Sequence, residues 1–149
     1  MIMSNILRIS ALAICLAVPG IAHAGTATYT TKGGPEKTVG TDQYQGSYQD
    51  GTSVVTFSDG SRVSENWTCI GVSQPPNAKV FDFHFACNSS SDAGSYSMIF
   101  GCNNIPGGNG MQGCVGGLNG KTGRYAGKSG ATTWSGTGGT GTGTMQWTD

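Results

Sequence analysis

Beyond residue 24, this 149-residue chain is short of leucine, of clustered charge and of helical periodicity. Leu118 is the only leucine in that part, and no segment of ten residues repeats apolar side chains at helical spacing. The lack of amphipathic helices excludes a helical bundle and an alternating α/β architecture. Glycine, in contrast, occurs 26 times, and Thr, Ser, Val and aromatic residues are plentiful. This composition is typical of an all-β protein.

Basic clusters are missing as well. Beyond residue 24, seven Lys and Arg residues stand against eight Asp and Glu residues, which gives a net charge of −1. Nucleic acids and anionic membranes attract proteins through clustered positive charge, so we expect neither as a partner. The chain has no Cys-x-x-Cys pair, and His84 is the only histidine after residue 24. We therefore predict no metal site and no cofactor.

The first 24 residues have the pattern of a secretory signal peptide. Arg8 precedes an apolar stretch at 9–18, and Ala22-His23-Ala24 ends the segment. The apolar stretch is too short to span a bilayer, and small residues are typical before the cleavage site. Cleavage after Ala24 would leave one domain, residues 25–149, without a second long apolar run. We expect this part to be soluble, and either secreted or periplasmic.

Four cysteines remain after that cleavage: Cys69, Cys87, Cys102 and Cys114. An even number in an exported chain of this size predicts two disulfides, for which three connectivities are open. Two cysteines that face each other across a hairpin lie equidistant from its turn. The midpoint of Cys102 and Cys114 falls at Gly107-Gly108, and that of the other two falls just past Pro75-Pro76. We therefore favour the pairs Cys69–Cys87 and Cys102–Cys114.

Short segments of β-branched and aromatic residues between turn residues predict eight or nine strands. They are residues 26–31, 43–48, 52–58, 62–71, 79–87, 95–102, 111–117, 131–137 and 140–148. Asp50-Gly51 and Asp59-Gly60 are expected to form hairpin turns on either side of 52–58, because glycine tolerates the positive φ of such turns. Residues 88–94 are expected to form a loop. The regular spacing predicts a single antiparallel eight-stranded β-barrel, stapled by the disulfides.

One predicted strand alternates strictly: Phe81, Phe83 and Phe85 are separated by Asp82 and His84. We expect the three rings to face the interior and the two polar residues to face water. Side chains two positions apart on a strand share a face at about 6.6 Å, so Asp82 could orient His84 as a general base. Asp82 and His84 are thus the only candidate catalytic residues, and we favour the simpler interpretation that they form a solvated polar face opposite a phenylalanine core.

The segment from Gly116 to Gly130 surrounds one tyrosine with glycines. Its core, Gly120-x-x-Gly123-x-Tyr125-x-Gly127-x-x-Gly130, resembles the late signature of the allene oxide cyclase and dirigent-like β-barrel superfamily. The resemblance implies an eight-stranded antiparallel barrel in which the Tyr125 ring fills one end before a last glycine-rich hairpin. Because dirigent-like barrels form trimers, it also leaves a homo-oligomer open.

Three classes of function follow. We favour an exported, non-catalytic barrel that holds a small apolar or aromatic ligand, because barrels of this size can enclose one small molecule. The resemblance implies a second class, a cyclase or isomerase that steers a reactive intermediate by the shape of its cavity. The third class is a module that binds another secreted protein, for example an inhibitor that uses the loop at 103–110. An open cavity favours the first two classes, and a filled interior favours the third.

Overall fold

The computed structural model describes residues 25–41, 44–75 and 79–148, and in these ranges the chain forms β-strands and no helix. The strands are β1 (Gly25–Gly33), β2 (Lys37–Thr41), β3 (Tyr44–Phe57), β4 (Arg62–Ser73), β5 (Phe83–Ser91), β6 (Gly94–Asn104), β7 (Gln112–Gly123), β8 (Ser129–Thr137) and β9 (Thr140–Thr148). The predicted signal peptide lies outside the described residues. Among those residues, no helix is long and apolar enough to cross a membrane.

Eight of the strands close an antiparallel barrel, which confirms the predicted fold class. Each strand from β3 to β8 pairs with the next strand along the chain, and β9 pairs with β1. The cylinder is completed where β1 pairs with the second half of β3, from Ala27↔Phe57 to Gly33↔Gly51. The ninth strand, β2, is an addition that pairs with the first half of β3. Closure removes most of the unpaired strand edges that invite aggregation.

Both disulfides join register partners on adjacent strands, as predicted. Cys69 on β4 pairs with Cys87 on β5, and Cys102 on β6 pairs with Cys114 on β7. Cys87, Cys102 and Cys114 are buried in the core of the barrel. The bridges therefore cross-link the wall from the inside.

The prediction of a turn at Asp50-Gly51 is wrong. β3 runs without interruption through these residues, which pair with Thr68 and Trp67 of β4. A Cβ atom on Gly51 would lie 2.5 Å from the Trp67 ring. Gly51 is thus needed for close packing and not for chain reversal. Asp59-Gly60 does form a turn, in which Gly60 has a φ of 82° and Ser61 N donates to Asp59 Oδ1.

The limits of β5 also differ from the prediction. The strand begins at Phe83 instead of residue 79, and it continues to Ser91 through the segment expected to be a loop. Ser89 faces inward and is 2% exposed, so this serine-rich stretch is part of the barrel wall. A polar sequence can form a buried strand here because its inward hydroxyl finds a hydrogen-bond partner inside the barrel.

Large inward side chains lie over glycines of neighbouring strands. Trp67 covers Gly51, Phe85 covers Gly71, Phe100 covers Gly116 and Tyr29 covers Gly143, and each pair consists of register partners. In each case an added Cβ atom would collide with the ring. The high glycine content therefore makes room for aromatic rings in a narrow barrel.

We expect Gly143→Ala to lower the free energy of unfolding by about 1–3 kcal/mol, as is typical of overpacking. The added methyl group would strike the Tyr29 ring and the carbonyl oxygen of Thr133. Gly117→Ala is the matched control, because the nearest atom to its Cβ lies 3.8 Å away. Urea unfolding should show a change of less than about 0.5 kcal/mol for the control. Equal effects of the two substitutions would contradict the packing argument.

Candidate functional site

The turn between β7 and β8 places Tyr125 inside one end of the barrel. Gly123 and Gly127, with φ values of 60° and 75°, reverse the backbone on either side of it. A side chain at Gly130 would strike the backbone of β9. The Tyr125 ring is 1% exposed, and its centroid lies 4.7 Å from that of Tyr96. Tyr125 therefore closes this end of the barrel, which we call the closed end.

Glu65 lies at the closed end, buried within the barrel. It is 2% exposed and accepts three hydrogen bonds. Tyr125 donates to Oε1 at 2.6 Å, Tyr96 donates to Oε2 at 2.6 Å, and Ser89 donates to Oε2 at 2.7 Å. A carboxylate buried without partners would be strongly destabilising, and these three hydroxyl groups compensate for its lost hydration. Among the described residues, no Lys, Arg or His side chain forms an ion pair with Glu65.

No motif in the sequence marks Glu65, and we did not predict it as a site residue. The available signal was the period of two along β4, in which Val63, Glu65, Trp67 and Cys69 share one face. Once Cys69 faces the interior, the alternation places Glu65 there as well. A single acidic residue in a strand is otherwise expected to face water.

Three tyrosines inside the barrel have pKa values above the ordinary value of a tyrosine side chain. Burial, together with the adjacent Glu65 carboxylate, raises the pKa of both Tyr96 and Tyr125 above the usual 10. Burial also raises the pKa of Tyr29 to about 12, although a hydrogen bond with Thr132 opposes the shift. All three phenols therefore stay protonated in the folded protein at neutral pH.

Between Glu65 and the other end of the barrel, the interior holds a cavity of about 160 Å³. Its wall is made of aromatic rings, thioethers and disulfide cysteines. These are Tyr29, Trp67, Cys69, Phe85, Cys87, Tyr96, Met98, Phe100, Cys114, Trp134 and Met145. The polar residues Ser53 and Ser89 also border the cavity. Ser89 and Tyr96 mark its floor, because both of them donate to Glu65.

The mouth of the cavity is formed by polar groups and glycines opposite the closed end. Glu36, Gln49 and Gln112 border it, together with Gly138-Gly139 in the turn between β8 and β9. The Gln49 amide donates to the carbonyl oxygen of Gly34 at 2.8 Å and to that of Gly138 at 3.0 Å. Gln49 thus ties the segment after β1 to the last hairpin and holds the shape of the mouth.

Asp82 and His84 do not border the cavity. Asp82 forms an ion pair with Lys79 at 2.6 Å and accepts a hydrogen bond from Asn104 N at 2.9 Å. Lys79 and the Asn104 N–H hold the pKa of Asp82 below its usual range. His84 lies on the outer face, in the register row of Gly101 and Val115, and Val115 is 55% exposed. No described hydrogen bond joins Asp82 to His84, so the pair lacks the contact that a general base would need.

The expectation that Phe81, Phe83 and Phe85 share the inner face is wrong for Phe81. Phe83 and Phe85 pack against the core, but Phe81 precedes the strand. Its ring covers Gly101 on the outer face and meets the His84 ring edge-on, with centroids 5.5 Å apart. Because β5 begins only at Phe83, its alternation does not extend back to Phe81.

Within the ranges that the structure describes, no three His, Cys, Asp or Glu side chains lie close enough to hold a metal ion. Comparison with known proteins gives no match to a family model, to a curated protein or to a solved structure. The resemblance of Gly120–Gly130 to the allene oxide cyclase and dirigent-like barrels therefore stays a prediction. The function has to be argued from the cavity and its surroundings.

We expect Tyr125→Phe to destabilise the protein by about 1.5–3 kcal/mol, the usual worth of a hydrogen bond to a charged group. The change removes the donor to Glu65 Oε1 and leaves the ring in place. Tyr44→Phe is the control, because Tyr44 is 66% exposed. A change within about 0.5 kcal/mol for Tyr125→Phe in urea unfolding would show that this hydrogen bond does not support the closed end.

Stability should fall steeply in alkali. In the unfolded chain Tyr29, Tyr96 and Tyr125 ionise near pH 10, whereas in the folded protein they keep their protons to higher pH. The unfolded state then binds fewer protons, so the free energy of unfolding decreases as pH rises above about 10. Each tyrosine contributes about 1.4 kcal/mol per pH unit. Urea unfolding between about pH 9 and 11 measures this slope, which Tyr29→Phe should reduce by about a third. A free energy of unfolding that does not change with pH in this range would contradict the raised pKa values of the three tyrosines.

Proposed function

We propose that this protein is an exported β-barrel that binds a small apolar or aromatic molecule in its interior without catalysing a reaction. The cavity of about 160 Å³ carries the proposal, because its wall consists mainly of rings, thioethers and disulfides. An apolar cavity of about 150 Å³ is large enough to bind benzene. The interior therefore suits a ligand with one ring or a short branched chain.

The distribution of polar groups supports binding at a defined orientation. Ligand sites combine apolar walls with a few polar groups that fix the ligand. Here Gln49 and Gln112 border the mouth, and the hydroxyl groups of Ser89 and Tyr96 border the floor. An apolar body would fill the middle, with polar substituents at either end.

The state of Glu65 supports a non-catalytic role. A general base must lie within hydrogen-bond reach of the proton that it removes. Glu65 already accepts three hydrogen bonds, and Ser89 and Tyr96 stand between it and the cavity. The alternative function is a cyclase or isomerase of the kind that the Gly120–Gly130 resemblance implies. Its support is the same carboxylate, which could polarise a reactive molecule through those two hydroxyl groups.

Export is inferred from two separate features. Two disulfides are typical of proteins in oxidising compartments. Residues 1–24 have the order of basic, apolar and small residues that directs a chain to secretion.

The methionines allow a direct test of the proposed function. Met98 and Met145 border the cavity, whereas Met111 lies in the loop before β7 and is 41% exposed. Toluene added to protein labelled with ¹³C at the methionine methyl groups should shift the signals of Met98 and Met145 and leave Met111 unchanged.

A filled cavity supplies the control for this test. Ser53→Leu places a branched side chain in the cavity and should abolish the shifts, whereas Thr52→Leu places the same leucine side chain on the outer face of the same strand and should retain them. Shifts that survive in Ser53→Leu, or that affect all three methionines equally, would refute binding in the interior. Thermal melting of both variants checks that the barrel is intact.

A further inference from the structure

We propose that the ligand of the interior is a small organic cation, namely an alkylammonium or arylalkylammonium ion. This inference rests on the proposed function and narrows the chemical class of the ligand. It is carried by the distribution of charge and of aromatic rings around the cavity.

The charge around the cavity has one sign. No Lys or Arg is among the described residues that border it, whereas carboxylates stand at both of its ends. Glu36 is at the mouth, and Glu65 lies one hydroxyl group beyond the floor. A positive charge in the cavity would meet attraction from both ends and repulsion from no lining side chain.

Glu65 has no cationic partner in the part of the chain that the structure describes. Arg124, in the turn at the closed end, is exposed and places its guanidinium 3.5 Å over the Phe57 ring. Charges inside a protein interact at an effective dielectric constant of about 20, compared with about 80 in water. The carboxylate therefore acts on the cavity about four times more strongly than it would across the same distance of bulk water.

The hydroxyl groups on the floor are oriented for a cation. The hydroxyl groups of Ser89 and Tyr96 both donate hydrogen bonds to Glu65. Toward a ligand, their oxygen atoms can therefore act only as hydrogen-bond acceptors. These oxygens can accept N–H groups of a primary ammonium ion, or face the positive end of a methylated one. They cannot donate to an anion without giving up Glu65.

The wall supplies the second form of recognition. Tyr29, Trp67, Phe85, Tyr96, Phe100 and Trp134 all border the cavity. The faces of aromatic rings attract cations, and a desolvated group of several rings is the usual binding site for quaternary ammonium ions. A metal cation has no comparable site, because no cluster of three ligating side chains is found among the described residues.

The test compares choline with 3,3-dimethyl-1-butanol, which has the same shape and no charge. Isothermal titration calorimetry on the mature, disulfide-bonded protein at neutral pH should give choline an affinity at least about tenfold higher. Both compounds should shift the methyl signals of Met98 and Met145. Equal affinities, or tighter binding of the alcohol, would overturn the cation proposal and leave the proposed function standing. Binding of neither compound, together with no binding of toluene, would overturn both.

Two variants test the source of the preference. In Glu65→Gln, the preference for choline over the alcohol should fall severalfold, because one carboxylate is lost while Glu36 and the rings remain, and the affinity of the alcohol should stay unchanged. Glu36→Gln changes only an exposed residue at the mouth and remains informative if Glu65→Gln does not fold, with an expected loss of about two- to threefold for choline alone. Asp92→Asn, in the turn before β6, is the control and should change neither affinity. A preference for choline that is unchanged in both Glu variants would refute the role of the carboxylates.

Discussion

The width of an eight-stranded barrel is the constraint on which the rest of this structure depends. Such a barrel is just wide enough for side chains to fill its interior. Several large rings therefore fit only where the neighbouring strand has a glycine and no side chain. Here the rings of Trp67, Phe85, Phe100 and Tyr29 each lie over a glycine of an adjacent strand. The packing resembles the rescue of strand glycines by cross-strand aromatic residues. It lets a core with one described leucine bury a large apolar area.

The same constraint divides the interior into two parts. At the closed end Tyr96, Tyr125 and Trp147 pack with ring centroids within 5.3 Å of each other, and Glu65 ties the two tyrosines together. Toward the mouth, the inward positions of β8 and β9 include Gly136 and Gly143, and the rings of Trp134 and Tyr29 lie over these two glycines. The cavity is therefore the space that these rings border and do not fill.

Several features could be predicted from the sequence because local patterns determine them. Cysteines symmetric about a turn must face each other in a hairpin, which gave both disulfides correctly. The glycines around Tyr125 allow the tight turn that directs its ring into the barrel end.

Other predictions failed. The Asp50-Gly51 turn was wrong because the same dipeptide is compatible with a turn and with a strand in which Gly51 leaves room for the Trp67 ring. The inward orientation predicted for Phe81 was wrong because an alternating pattern does not determine the residue at which a strand begins. Glu65 was missed because its three hydroxyl donors come from β5, β6 and the turn after β7, and only the closed barrel brings them together.

The pairing of β1 with β9 determines when the barrel can form. These are the first and last strands that the structure describes. Other contacts of β1 also join segments that are far apart in the sequence, since the Tyr29 hydroxyl donates to the carbonyl oxygen of Thr133, 104 positions further along the chain. Contacts between distant segments lose more chain entropy before they gain stability, so proteins built on them fold slowly. The cylinder cannot close until the last strand is available. Before closure, the rings and cysteines of the interior remain exposed to solvent. The cysteines can then be oxidised to disulfides, and the exposed apolar side chains can associate with other chains.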